Sequence, residues 1–183
     1  SRGLGDVYKR QNFLWAVFWV FITQRMVWPA PFRSQAYTPS SRLSLATRAD
    51  AAEILAIYNW YVLHHTATFQ VTPSSLPEYE DWVDSTRALI PLLLARDGDG
   101  KLLGYACAHR YHPREAYDWA VESTIYCAPD ARGFGVGDTL YRALLDILDG
   151  MGYWNVYALV ADPNPASERI HALSVSYTHL TLP

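Results

Sequence analysis

Cysteine, positive charge and long apolar runs are all scarce in this chain of 183 residues. The two cysteines, Cys107 and Cys127, form no CxxC pair, which excludes the usual zinc and disulfide frameworks and favours a reducing, cytoplasmic setting. Lysine and arginine total 15 against 18 acidic residues, a net charge of −3, so we expect no nucleic-acid partner. The six histidines show no HExxH or Cys/His spacing, so we expect no metal.

The most apolar stretch, Phe13 to Ile22, reaches about half of the roughly 20 residues that a membrane-spanning helix needs. We therefore expect no membrane partner. The stretch belongs to residues 12–41, which we interpret as a non-domain N-terminal extension that ends in a Pro- and Ser-rich linker. Met26 is a candidate natural start within it.

The two ends of the chain can be read as translations of one inverted DNA repeat. One strand of the repeat can encode DVYKRQ, Asp6 to Gln11, and the complementary strand can encode VSYTH, Val175 to His179. This pair is similar to the transposon ends that are used to fragment DNA for sequencing. We therefore expect residues 1–11 and 174–183 to be adapter-derived, and we exclude them from the prediction of the fold.

The intervening residues, 42–173, have the pattern of one mixed α/β domain. Alternating or continuous apolar stretches predict five strands, and apolar residues at helical spacing predict four helices. The predicted strands are 42–48, 91–97, 101–112, 116–128 and 154–162, and the predicted helices are 49–65, 75–88, 136–152 and 164–174. Asp50 and Asn164 are predicted helix caps. The expected fold class is α/β (an α+β mixed sheet) with helices on its faces.

The stretch PDARGFGVGDTL, Pro129 to Leu140, places glycines at 133, 135 and 137 between a predicted strand and a predicted helix. Bare backbone there lets N–H groups approach an anion, and the helix dipole favours negative charge at the same point. A phosphate-binding loop and a glycine-rich surface turn are the two interpretations. The loop lacks the Gly-Lys-Ser/Thr of a P-loop, because Asp138 and Thr139 follow Gly137. It also lacks the third glycine of the dinucleotide fingerprint, which would stand at Leu140.

Arg132 to Gly137, RGFGVG, matches the R/Q-x-x-G-x-G/A loop of the GNAT superfamily of N-acetyltransferases, where it holds the pyrophosphate of acetyl-CoA. Together with AEILAIYNWYVLHHTATF, AYDWAVESTIYCAPDARGFGVG and ADPNPASERIHAL, it resembles the phosphinothricin and methionine sulfone acetyltransferase branch over about Arg42 to Leu173. The resemblance implies a GNAT (acyl-CoA N-acyltransferase) fold, here lacking its last two strands. It further implies transfer of acetyl from acetyl-CoA to the primary amine of a small amino acid or analogue, by direct attack in a ternary complex. Members of the family also form homodimers.

The resemblance assigns roles to matching positions of this sequence. Glu122 corresponds to the carboxylate proposed as general base. The positions implied for acetyl-CoA are Ile125, Tyr126 and Cys127 for the pantetheine arm, Arg132, Gly133, Phe134, Gly135, Val136, Gly137 and Asp138 for the pyrophosphate, and Asn164. The positions implied for the amino-acid substrate are Phe69, Arg114, Glu115, Ala116 and Tyr117.

Several of these residues also have a purely structural interpretation. Glu122 is otherwise a strand carboxylate on a solvated face, and Arg132 and Arg114 are otherwise surface charges. Tyr117 and Phe69 are otherwise core aromatics.

Three further expectations concern the function, the glycine loop and the stability of the chain. The second functional hypothesis is a non-catalytic acyl-CoA-binding or sensing module, which would keep the glycine loop and Asn164 without depending on Glu122. Asp138 replaces a neutral or basic residue of the family and is expected to weaken the attraction for pyrophosphate. Because residues 174–183 stand where the last two strands would begin, we expect an exposed sheet edge and a poorly active or unstable chain.

Overall fold

The computed structural model describes residues 41–161 and 163–172, and the backbone of two further strands at residues 18–24 and 177–181. The predicted adapter at residues 1–11, Met26 and the linker lie outside the described residues. The strands are β1 Phe18–Gln24, β2 Arg42–Leu45, β3 Leu93–Arg96, β4 Leu102–Arg110, β5 Ala120–Cys127, β6 Asn155–Ala161 and β7 Tyr177–Thr181. The α-helices are α1 Ala51–His64, α2 Leu76–Leu89, α3 Val136–Gly150 and α4 Pro165–Ala172.

One mixed sheet carries all of these strands in the order β2-β3-β4-β5-β6-β1-β7. Neighbouring strands are antiparallel except for β5 and β6, which are parallel and are connected through α3. The five strands predicted from the sequence, β2 to β6, and the four predicted helices are all present in the predicted chain order. The expected fold class is thereby confirmed.

The edge of β6, which we expected to be exposed, is covered, so that expectation was wrong. β1 pairs with β6 along its whole length, from Phe18 opposite Ala161 to Gln24 opposite Asn155, and β7 pairs with the far side of β1. An unpaired strand edge presents a row of free N–H and C=O groups. Because residues 18–24 are rich in aromatic and β-branched residues, they suit a strand that pairs with such an edge.

Two local predictions also need correction. Residues 116–128 do not form one strand, because Glu115–Tyr117 form a 3₁₀ turn and β5 begins only at Ala120. Asp50 precedes α1 as predicted, but its carboxylate accepts hydrogen bonds from the backbone N–H and hydroxyl of Thr47, both at 2.8 Å. The side chain therefore stabilises the turn before the helix instead of capping the helix itself.

Helices cover both faces of the sheet. On one face Tyr79 of α2 lies against Tyr105 of β4, with their hydroxyl oxygens 3.1 Å apart. On the other face Leu140 of α3 packs over Gly104, the neighbour of Tyr105 on β4. Along the described ranges, no helix has both the length and the apolar character required to cross a membrane.

Candidate active site

A gap between β5 and β6 forms the centre of the site. In the parallel ladder between them, Ala120 pairs with Asn155, Val121 with Val156, and Glu122 with Tyr157. The ladder ends at this last pair, although both strands continue. Beyond this point, β5 pairs only with β4 and β6 pairs only with β1 among the described strands. The inner edges of both strands, residues 123–127 and 158–161, therefore present backbone groups to the gap instead of to each other.

Side chains hold the two ends of the gap in position. At the closed end, the hydroxyl of the buried Ser123 donates to the backbone carbonyl of Tyr157 at 3.1 Å. At the open end, the hydroxyl of Tyr61 on α1 donates to the backbone carbonyl of Cys127 at 2.8 Å. The first contact joins β5 to β6, and the second joins β5 to α1. Side-chain hydrogen bonds thus hold both ends of the gap in position.

The glycine loop crosses the open end of the gap, between β5 and α3. Gly133 and Gly135 have φ angles of 81° and 78°, a left-handed conformation that other residues rarely adopt. Gly137, inside the first turn of α3, serves a different purpose. A Cβ atom at Gly137 would lie 2.8 Å from Cδ1 of Ile170 on α4 and 3.4 Å from Sγ of Cys127. Two of the glycines are thus required by the turn and the third by close packing.

The charged residues of the loop have defined partners. The carboxylate of Asp138 accepts a hydrogen bond from Nε of Arg142, one helical turn along α3, at 2.8 Å. This pairing offsets the negative charge that we expected to oppose an anion at the loop. The guanidinium of Arg132 lies over the rings of Trp60 and Tyr61, with Cζ 4.7 Å and 5.0 Å from their centroids. Phe134 is an exposed side chain at the tip of the loop.

Glu122 lies at the point where the two strands part. Its side chain is 21% exposed, so the carboxylate is partly buried and still accessible. Across the ladder to β4 it faces His109, whose Nε2 lies 3.6 Å from the carboxylate oxygen Oε2. Across the ladder to β6 it faces Tyr157. Residues paired in this way point to the same face of a sheet, so the three side chains share one surface.

A cluster of tyrosines extends this surface. The ring of Tyr111 stacks on that of Tyr157 with centroids 4.0 Å apart, and Tyr117 meets Tyr111 edge to face at 5.7 Å. Burial, with Tyr111 and Tyr117 as neighbours, raises the pKa of the Tyr157 hydroxyl. Sequence reasoning assigned no role to His109, Tyr111 or Tyr157. The two-residue spacing of His109 and Tyr111 indicates that they share one face of the chain, but it does not reveal which residues of other strands lie beside them.

The predicted substrate residues divide into two groups. Arg114 precedes the 3₁₀ turn of Glu115–Tyr117, which joins β4 to β5 beside the tyrosine cluster. All four side chains of this group are exposed. Phe69 lies on the separate loop between α1 and α2 and is 42% exposed. That loop is attached to β5, because the hydroxyl of Tyr126 donates to the carbonyl of Ala67 at 3.4 Å.

The remaining predicted ligand residues lie near the gap or at its margin. Ile125 and Tyr126 belong to the part of β5 that faces the gap. Asn164 caps α4, since its side-chain oxygen accepts from the backbone N–H of Ser167 at 3.3 Å. Burial raises the pKa of the Cys127 thiol to about 11, so it stays protonated at neutral pH. In the described part of the chain, no cluster of His, Cys, Asp and Glu is arranged to hold a metal ion.

Comparison with known proteins gives the class of this protein. Residues 54–174 match the acetyltransferase (GNAT) family, and the chain belongs to that family. It is 35% identical over 133 residues to a phosphinothricin N-acetyltransferase of Streptomyces viridochromogenes, covering 73% of this chain and 72% of that relative. It is 36% identical over 124 residues to an L-methionine sulfoximine/L-methionine sulfone acetyltransferase of Pseudomonas paraeruginosa, covering 67% and 72%.

Solved structures agree with this assignment. A GNAT superfamily phosphinothricin acetyltransferase from Sinorhizobium meliloti, crystallised in complex with acetyl-CoA, superposes with a TM-score of 0.71 at 32% identity. The superposition covers 73% of this chain and 72% of that one. These comparisons confirm the family and the branch that the sequence resembles, and they make the protein an enzyme of the acyltransferase class.

Proposed function

We propose that the protein transfers acetyl from acetyl-CoA to the primary amine of a small amino acid or analogue of the phosphinothricin and methionine sulfone type. The observation that carries the proposal is the gap that opens between β5 and β6 at Glu122, with the glycine loop at its far end. The pantetheine arm of acetyl-CoA contains two amide groups, which can pair with the free backbone edge of residues 123–127. The pyrophosphate then meets the N–H groups at the start of α3.

The chemistry requires a base, an oxyanion partner and proximity. Glu122 takes the proton of the substrate ammonium, directly or through a water, because an ammonium has no lone pair. The amine then attacks the thioester carbon, and backbone N–H groups of β5 stabilise the oxyanion. The C–S bond breaks as the intermediate collapses, and the departing CoA thiolate takes up the second proton that the attacking nitrogen loses. Glu122 releases the first proton to solvent. Holding both substrates at the gap supplies much of the rate.

Direct attack is favoured over an acetyl-cysteine intermediate. Burial raises the pKa of Cys107 to about 12 and that of Cys127 to about 11, so neither thiol supplies a thiolate nucleophile at neutral pH. Both are free thiols, which fits the reducing cytoplasm as the place of the reaction.

The amine is expected to bind beside the tyrosine cluster. Arg114 can receive the carboxylate of an amino acid in a bidentate contact, and Glu115, Ala116 and Tyr117 form the adjoining wall. Phe69, on the loop between α1 and α2, is a further proposed contact of this substrate. This arrangement suits a small zwitterionic substrate whose amine reaches Glu122.

Substitution of Glu122 tests the proposal and separates it from a non-catalytic acyl-CoA sensor. In Glu122→Gln we expect kcat to fall by about 10²- to 10⁴-fold, because the base is lost, with the Kd for acetyl-CoA unchanged. The measurement is thiol release with phosphinothricin and methionine sulfone as acceptors, alongside calorimetric titration of acetyl-CoA.

Glu80→Gln is the matched control, because Glu80 lies on α2 and pairs with Arg48 at 2.8 Å. We expect it to keep full activity. Tight binding of acetyl-CoA without turnover of any amine would favour the sensor. Turnover that survives Glu122→Gln would remove Glu122 from the reaction.

A further inference from the structure

We propose that Trp60 and Tyr61 are positioning residues, which hold Arg132 ready for the pyrophosphate of acetyl-CoA. This inference rests on the proposed function and extends it to two residues of α1 that carry no assigned role.

The two rings form a corner that receives the guanidinium. The ring planes of Trp60 and Tyr61 meet at 83° with centroids 5.2 Å apart. Cζ of Arg132 lies 4.7 Å from the first centroid and 5.0 Å from the second. Both distances lie within the roughly 6 Å over which a cation is attracted to an aromatic face. The side chain of an exposed loop residue is thus fixed by two contacts.

The contacts with the two rings leave most of the guanidinium N–H donors for a ligand. The guanidinium has five N–H donors, which lie in its plane and point outward from its edge. The hydroxyl of Tyr61 is in a hydrogen bond with the group, and the remaining donors are left for an anion. A phosphate accepts two parallel hydrogen bonds from such an edge. The contacts with Trp60 and Tyr61 therefore orient Arg132 and still leave guanidinium donors for the anion.

Among the described residues, no carboxylate neutralises the charge of Arg132. Arg48, Arg87, Arg96, Arg110 and Arg142 each form an ion pair with a carboxylate. Within residues 41–161 and 163–172, no carboxylate forms an ion pair with Arg132. An arginine held on aromatic rings next to a loop of left-handed glycines keeps its full attraction for an external anion.

The aromatic corner is itself attached to the site. Tyr61 is buried, its ring meets that of Tyr126 at 4.8 Å, and its hydroxyl donates to the carbonyl of Cys127 at 2.8 Å. The same helix residue thus contacts Arg132 and the end of the strand that lines the gap. Because Arg132 is fixed before the ligand arrives, less side-chain freedom is lost on binding.

Two ligands that differ in the pyrophosphate test the inference in the full chain. Acetyl-CoA contains the pyrophosphate, whereas S-acetylpantetheine keeps the thioester and the arm but lacks it. For Arg132→Gln we expect the Kd for acetyl-CoA to rise about tenfold or more, and for Trp60→Leu about threefold. Trp60→Phe keeps an aromatic face and should restore most of the affinity. The Kd for S-acetylpantetheine should stay unchanged in all three variants.

Two further readouts separate positioning from a general loss of structure. Since Trp60 acts through Arg132, Trp60→Leu should add nothing to Arg132→Gln in the double variant. At saturating acetyl-CoA, the kcat of Trp60→Leu should equal that of the unaltered protein, with only the KM for acetyl-CoA raised. Trp154→Leu, at an exposed tryptophan away from Arg132, is the control.

The failures can be told apart. If the unaltered protein does not bind acetyl-CoA, the proposed function and this inference are both overturned. If acetyl-CoA binds but Trp60→Leu leaves its Kd unchanged, or weakens both ligands equally, the inference alone is overturned.

Discussion

His171 on α4 is the residue whose burial links the stability of the fold most directly to pH. Its ring meets that of Tyr141 edge to face at 4.7 Å, and only 5% of the residue is exposed. Burial lowers the pKa of His171 from 6.5 to about 4. Between these two values the unfolded chain binds a proton that the folded chain does not. Stability is therefore present above about pH 6.5 and is lost as the pH falls toward 4.

The expected loss attributable to His171 is up to about 3 kcal/mol in the free energy of unfolding. Urea unfolding at pH 7.5, 6.0, 5.0 and 4.0 measures it. His171→Phe keeps a ring in the same space and should show a smaller decrease over this range. Parallel pH profiles of the two proteins, or an imidazole that titrates near 6.5 in the folded state, would contradict the prediction.

The roles of individual residues were only partly predictable from the sequence. The motif pointed to the glycines of the loop, and the two positive φ angles explain Gly133 and Gly135. Gly137 is required for a different reason, its contact with Ile170, which depends on how α4 packs and leaves no local signal. His109 and Tyr157 flank Glu122 only because three strands align, so no single segment could reveal them.

At the scale of elements, Gly104 allows β4 and β5 to approach each other. A Cβ atom at this position would lie 2.8 Å from the carbonyl oxygen of Tyr126 and 3.1 Å from Cα of Cys127. Both atoms belong to the backbone, so the strands themselves would have to move. A glycine inside a strand often marks such a close approach of two backbones.

Gly104→Ala is therefore expected to destabilise the protein by about 2–3 kcal/mol, since a buried methyl group would overfill the sheet. Chemical denaturation at pH 7.5 measures the effect. Gly98→Ala, where nothing lies within 4 Å and no special backbone angle is needed, should change stability by less than about 0.5 kcal/mol. Equal effects of the two substitutions would show that the strands tolerate the added methyl group.

Elements with strong periodicity were predicted well, and their ends were not. The helices and strands of residues 42–172 follow from apolar spacing, which is a property of each segment alone. The start of β5 was predicted four residues early. No residue of AYDWAVESTIYCA interrupts the strand pattern, so the sequence alone does not show where the strand begins. An ion pair between Arg110 and Asp118 spans the connection from β4 to β5, where the chain turns. The gap beside β5 could not be predicted from the sequence either. The point at which two strands stop pairing depends on the course of both strands and not on either segment alone.

At the scale of the whole molecule, β1 joins the N-terminal extension to the enzyme fold. It lies between β6 and β7, so backbone groups on both of its edges are paired. Proline lacks the N–H that such a strand must donate. Val20→Pro is therefore expected to lower the melting temperature and to promote self-association through the exposed edge of β6.

Val20→Thr keeps the N–H and the β-branched character, and it should behave like the unaltered protein. Scanning calorimetry and light scattering provide the two measurements. Identical melting and mass for the proline and threonine variants would show that residues 18–24 add nothing to the sheet.

The parting of β5 and β6 after Glu122 also determines which amides exchange with solvent. In residues 123–127, the N–H groups that point to β4 are held in a ladder, and the alternate ones face the gap. Without a ligand, deuterium should enter every second amide of this segment quickly and its neighbours slowly. Bound acetyl-CoA would supply the missing partner and slow the fast set, so the ligand would take the place of a strand in the hydrogen-bonding pattern of the sheet.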